Sequence, residues 1–115
     1  MEEATIYTVE IAPEAEFFYN EILAYFYKYH SEYSADRKSA ELLGLAISLE
    51  IDPQRGTIEE HLKSLGKNHK FIVYYYTLRK AIKIIYFIDE LKKIVYVTDF
   101  FPCQMDDKKI SRRTK

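Results

Sequence analysis

One stretch decides the fold: His69–Pro102, which reads HKFIVYYYTLRKAIKIIYFIDELKKIVYVTDFFP. It contains three segments rich in Ile, Val, Tyr and Phe, the residues favoured in strands: Phe71–Tyr76, Ala81–Ile88 and Ile94–Phe101. The polar segments between them are short, so consecutive strands must run antiparallel to each other. The stretch therefore predicts a three-stranded antiparallel meander.

The residues before the meander predict one more strand and two helices. Thr5–Ile11 alternates between apolar and polar side chains as a strand does. Pro13–Tyr29 has helical periodicity, with its proline at the first position, where a missing N–H costs little. A second helix is expected over Ala35–Ile51, with Ser31 or Ser34 as its cap. A short capped helical turn is expected between this helix and the meander.

Apolar periodicity also predicts which helix faces are buried. On the second helix the predicted stripe is Ala40, Leu43, Ile47 and Ile51, with Ala46 and Leu42 beside it, and Gly44 is expected to permit a close approach to the first helix or the sheet. The predicted fold is α+β, with the order β-α-α-β-β-β and two helices packed on one face of a mainly antiparallel four-stranded sheet. The side chains expected between helices and sheet are Ile22, Phe26, Leu43, Ile47, Ile84 and Tyr86.

Composition is typical of a single globular domain over residues 1–115, of which 105–115 form a basic C-terminal tail. The chain has 48% hydrophobic and 30% charged residues and one cysteine, Cys103, for which a structural role is expected. Neither a signal peptide nor an apolar run of membrane-spanning length is recognised, so a cytoplasmic location without a membrane partner is expected.

Charge is divided unevenly along the chain, although the net charge is only −1. Residues 1–60 carry 13 acidic and 4 basic side chains, whereas residues 61–115 carry 5 acidic and 13 basic ones. This asymmetry indicates either a surface for a polyanion or an acidic partner, or two halves that neutralise each other within one fold.

Few motifs with known chemistry are present. The three histidines, His30, His61 and His69, lack the spacing of a metal site, and no phosphate-binding loop or nucleophile motif occurs, so neither metal nor cofactor is expected. Lys83 is the most informative polar residue because it lies in mid-strand among apolar neighbours. Strand alternation places it on the face opposite Ile84 and Tyr86.

Four passages, in this order, resemble the RelE/ParE toxin superfamily. They are the opening strand and helix at Tyr7–Phe18, the L-x-x-x-P-x-x-G helix exit at Leu49–Gly56, the segment Leu65–Phe71, and the central hairpin Ile82–Val97, in which Tyr86 matches a recurrent tyrosine. The resemblance covers nearly the whole chain. It implies the toxin of a type II toxin–antitoxin or plasmid stabilisation module, neutralised by a small antitoxin, as a homodimer or hetero-oligomer.

Two activities are known in that superfamily. RelE-like members cleave mRNA in the ribosomal A site, and Lys83 falls where they carry a catalytic arginine. Lys70, Arg79, Lys80 and Gln104 are then candidates for binding RNA or a protein partner. ParE-like members inhibit DNA gyrase without hydrolysis. That alternative, or a catalytically degenerate antitoxin-binding protein, stays open because the second basic residue and the late tyrosine of the nucleases have no counterpart here. A small RNA-binding β-sheet domain is a third reading.

Overall fold

A computed structural model describes residues 6–114, which form one mixed sheet with two long helices on one face. The strands are β1 Thr8–Ile11, β2 Thr57–Ile58, β3 Lys70–Tyr75, β4 Ala81–Asp89 and β5 Ile94–Pro102. The helices are α1 Pro13–Tyr29, α2 Glu32–Ile47 and α3 Ile110–Arg113. Short 3₁₀ segments span Ser48–Glu50, Pro53–Arg55, Glu60–Leu65 and Asp107–Lys109.

The α+β class and the antiparallel β3–β4–β5 meander are confirmed, but the predicted four-stranded sheet is wrong in detail. The sheet has five strands in the order β1-β5-β4-β3-β2, and β1 runs parallel to β5. The fifth strand is the two-residue β2, which pairs with β3 where the sequence predicts a helical turn. Alternation within a segment shows that it can form a strand but does not reveal its partner. The helical turn follows β2 as the 3₁₀ segment Glu60–Leu65.

Helix α1 has the predicted bounds. Pro13 is its first residue, Glu14 and Glu16 lie in the first turn at the positive end of the helix dipole, and Ile22 and Phe26 are buried against the sheet. These contacts fix one wall of the site described below.

The predicted packing face of α2 is wrong. Leu43 is only half-buried and Ile47 is 46% exposed. Ile51 lies outside the helix altogether, because α2 ends at Ile47 and continues as a 3₁₀ turn. The buried face is instead composed mostly of small residues: Ala35, Lys38, Ser39, Leu42 and Ala46. Periodicity favours the larger side chains, whereas packing selects the face whose small residues allow a close approach. The cap is Ser31, whose Oγ accepts a hydrogen bond from the Ser34 N–H at 3.1 Å.

Close approach to a glycine occurs at Gly56 rather than at Gly44. Gly44 has nothing within 4 Å of the position that a Cβ would take, so its predicted packing role is wrong. A Cβ on Gly56 would overlap the hydroxyl of Tyr86. That hydroxyl is buried and donates a hydrogen bond to the Pro53 carbonyl at 2.6 Å, which ties the exit from α2 to the middle of β4.

The second face of the sheet has a small core of its own. Leu62, Ile85, Phe101 and Ile110 are buried there, beneath the Glu60–Leu65 segment and α3. The residues interpreted as a basic tail are therefore folded on the sheet as far as position 114. Two apolar residues, Ile110 and the partly buried Met105, anchor them, too weak a pattern to predict a packed helix. Within residues 6–114 no helix is both long and apolar enough to cross a membrane.

Candidate functional site

Lys83 lies on the sheet face opposite α1 and α2, as the strand alternation predicts, while Ile84 packs in the helix-side core. Its ammonium is 3.0 Å from the Glu59 Oε2 and 3.9 Å from the Asp107 Oδ2. It also lies 4.3 Å from the centroid of the Phe71 ring. The Lys83 side chain is 14% exposed. Its positive charge is thus balanced by carboxylates and mostly shielded from solvent.

Glu59 organises this site together with His61. The Glu59 side chain is 1% exposed, and its Oε1 accepts hydrogen bonds from the His61 backbone N–H at 3.2 Å and from Nδ1 at 3.0 Å. Burial acts to raise the pKa of Glu59, but the hydrogen bonds from Lys83 and His61 outweigh it, and the pKa lies below its usual value. Glu59 is therefore ionised at neutral pH.

The Glu59–His61 pair can perform proton transfer. With Nδ1 donating to the carboxylate, Nε2 of the partly exposed ring is left as an acceptor. Cys103 lies nearby and is exposed, but partial burial of its thiol raises the thiol pKa, which lowers the fraction present as the nucleophilic thiolate. Sequence reasoning missed both Glu59 and His61. A carboxylate two residues before a histidine is the available signal, but nothing in the sequence places it opposite Lys83.

The other predicted site residues separate into two groups. Lys70 pairs with Tyr86 across β3 and β4, so it lies on the helix side of the sheet, opposite Lys83. Arg79 and Lys80 lie in the turn between β3 and β4, and Gln104 lies at the same end of the sheet, where it hydrogen-bonds Tyr76. The predicted residues therefore do not form one binding surface around Lys83.

A pocket of about 260 Å³ opens at this end of the sheet, between α1 and the residues that begin β4 and end β5, and is called the hairpin-end pocket below. Its side chains are mainly apolar and aromatic, and include Phe18, Ile22, Tyr25, Phe26, Tyr76 and Ile82. Gln104 donates a hydrogen bond from Nε2 to the Tyr76 hydroxyl at 2.5 Å. Lys80 places its Nζ 3.4 Å from the Tyr25 hydroxyl.

Behind the aromatic wall lies a buried lysine. Lys38 is 8% exposed, and its Nζ lies 3.2 Å from Nδ1 of His30. Burial, and then the charges of Lys38 and Lys80, lower the pKa of His30, so the imidazole is neutral at pH 7. In the part of the chain that the structure describes, Lys38 has no carboxylate within 4.0 Å. This corner of the protein therefore keeps an uncompensated positive charge.

Arg113 closes the other side of the pocket. Its guanidinium stacks 3.6 Å from the centroid of the Phe18 ring and lies 2.7 Å from Oδ1 of the fully buried Asp99. Burial raises the pKa of Asp99 to about 6, although Arg113 acts in the opposite direction. The pair links α3 to β5 across the pocket edge.

No cluster of three or more potential metal ligands occurs among residues 6–114. Comparison of the chain with protein-family models, with curated proteins and with solved structures found no match. Function is therefore inferred from the two sites themselves.

Proposed function

We propose that this protein is the toxin component of a type II toxin–antitoxin or plasmid stabilisation module, and that it acts by binding a protein rather than by cleaving mRNA. The resemblance of the sequence passages supports the first part, as do the opening β-α-α segment and the antiparallel meander, although the extra strand β2 stands between them. The Lys83–Glu59 ion pair supports the second part.

Cleavage of RNA by its own 2′-OH requires positive charge at the reacting phosphate. Near Lys83 the carboxylates of Glu59 and Asp107 outnumber the lysine, and they would repel a phosphate. Two of the predicted binding cations lie elsewhere: Lys70 is on the opposite face, and Lys80 is at the hairpin-end pocket. Binding of DNA gyrase or of an antitoxin needs no such charge, since apolar and aromatic surface supplies most of the affinity.

A second candidate function, ribosome-dependent mRNA endonuclease, is favoured by the Glu59–His61 pair. The Nε2 of His61 could accept the proton of the attacking 2′-OH, with Glu59 fixing the ring orientation. Lys83 would then hold the carboxylate in place rather than bind the scissile phosphate.

Induced expression in a bacterial host distinguishes the two functions. The wild type is expected to arrest growth, and the His61→Gln variant is expected to arrest it equally, with no new mRNA ends and with relief by the product of the adjacent gene. Loss of arrest in His61→Gln together with new mRNA ends in the wild type would establish the endonuclease instead. A supercoiling assay with purified gyrase then tests the ParE-like target. Absence of arrest by every form would refute the toxin assignment.

A further inference from the structure

We propose that the hairpin-end pocket binds one large apolar side chain from an acidic segment of a partner protein. The inference deepens the proposed function, on which it rests for the existence of a protein partner. It names the place where that partner inserts and the chemistry of the inserting segment.

Size is the first reason. Ligand pockets for drug-sized molecules span roughly 300–1,000 Å³, and the hairpin-end pocket has about 260 Å³. Such a cavity suits a single large side chain. Apolar anchors that fill preformed, aromatic-lined pockets are the contacts that dominate protein–protein affinity.

The aromatic side chains of the pocket wall pack on one another, which favours an anchor of defined shape. The Phe26 and Tyr76 rings lie 5.1 Å apart and the Tyr25 and Tyr76 rings 6.3 Å apart, both edge to face. The pocket therefore needs little rearrangement on binding, which lowers the entropic cost.

Charge is the second reason, and it determines the flanks of the anchor. Lys80 lies at the rim beside Tyr25, and Arg79 is exposed in the same turn; neither has a carboxylate within 4.0 Å among residues 6–114. Lys38 adds its uncompensated charge from behind the wall. Arg113 is balanced by Asp99, and Glu21 is the single carboxylate that lines the pocket. Arg79 and Lys80 thus make the side of the rim near the β3–β4 turn positive, and that side attracts acidic residues.

Polar groups at the rim can position the peptide backbone. Gln104 uses its Nε2 to bind the Tyr76 hydroxyl, and its Oε1 accepts no hydrogen bond within the described residues. That oxygen can accept a backbone N–H from the incoming segment.

Methyl NMR of the isoleucine-labelled protein tests the proposal with three acetylated tripeptide amides: Glu-Phe-Glu, Lys-Phe-Lys and Glu-Ala-Glu. Ile22 and Ile82 line the pocket, whereas Ile85 lies on the far face of the sheet. Glu-Phe-Glu is expected to shift the Ile22 and Ile82 methyl signals but not that of Ile85. Lys-Phe-Lys is expected to bind at least fivefold more weakly, and Glu-Ala-Glu to cause no shift. Equal binding of the two Phe peptides, or shifts by none of the three, overturns the proposal.

Charge variants provide matched controls. Lys80→Glu is expected to weaken Glu-Phe-Glu at least threefold, whereas Lys92→Glu, an equally exposed change in the β4–β5 turn, leaves the affinity unchanged. If Lys80→Glu and Lys92→Glu change the affinity for Glu-Phe-Glu equally, the charge at the pocket rim has no specific role in binding. Shifts of Ile22 and Ile82 by the dinucleotide uridylyl-uridine but not by the peptides would show a nucleic-acid site instead. Because these measurements require neither growth arrest nor an antitoxin, failure of the proposed function does not affect their outcome.

Discussion

The ammonium of Lys83 and the carboxylate of Glu59 form an ion pair of 3.0 Å in which the carboxylate is almost wholly buried. A buried ion pair contributes little to the free energy of unfolding compared with apolar packing in its place. Removing one partner alone is destabilising, because it leaves a buried charge without its counterion. Lys83 is therefore a structural group as well as a candidate functional one.

Lys83→Met should destabilise the protein, by about 3 kcal/mol, because Glu59 stays buried without its cation. Denaturant unfolding at pH 7 measures the loss. The double variant Lys83→Met/Glu59→Gln removes the stranded charge and is expected to recover more than half of it. Equal losses in the single and double variants would show that the ion pair is not the cause.

Gly56→Ala and Gly44→Ala should have opposite effects. At Gly56 the new methyl group meets the Tyr86 hydroxyl, and we expect a loss of about 1–3 kcal/mol. At Gly44 it meets open space inside a helix, and we expect a gain of about 1 kcal/mol from helix propensity. Thermal unfolding of the two variants shows whether each is more or less stable than the wild type. A gain in stability at both positions would contradict the close approach of Tyr86 to Gly56.

Leu42 and Ile47 distinguish the observed face of α2 from the predicted one. Leu42→Ala opens a cavity in the core and should cost about 2–5 kcal/mol. Ile47→Ala removes a half-exposed side chain and should cost less than about 1 kcal/mol. Unfolding free energies in the reverse order would support the face that periodicity favours.

Asp99 should make the protein less stable as the pH rises from about 4 to 6. Burial raises the pKa of its carboxyl from 3.8 to about 6, so the folded state binds a proton that the unfolded state releases. This contribution is fully present below pH 3.8 and is lost as the pH passes 6. Relative to Asp99→Asn, the wild type should lose about 2 kcal/mol between pH 4 and pH 7. If the free energies of unfolding of the wild type and Asp99→Asn change with pH in the same way, the raised pKa of Asp99 is contradicted.

Local signals in the sequence predicted the parts of the fold that local forces determine. The strands of the meander and both ends of α1 follow from side-chain preference and from Pro13, and they are observed with shifts of one residue at most. The sequence did not predict the buried face of α2. Which face is buried depends on how closely Ala35 and Ala46 let the helix approach other elements. That is a property of tertiary packing.

The candidate sites show the same division. Alternation in β4 placed Lys83 on the correct face, but the partner of Lys83 comes from a bend 24 residues earlier that no local pattern joins to it. Lys38, which lies behind the pocket wall, belongs to a helix for which the sequence predicted only an apolar stripe that does not include it. Buried charge of this type becomes visible only when the neighbours of the side chain are known.

The parallel pairing of β1 with β5 has a consequence for synthesis. Thr8 pairs with Ile94, more than eighty residues later in the chain. At roughly 5–20 residues per second on the ribosome, the first strand waits about 4–17 s for its partner. During that interval α1 is complete, yet Phe26 lacks the strands that cover it. Until β5 has been synthesised, the nascent chain therefore exposes the apolar face of α1 to chaperones and proteases.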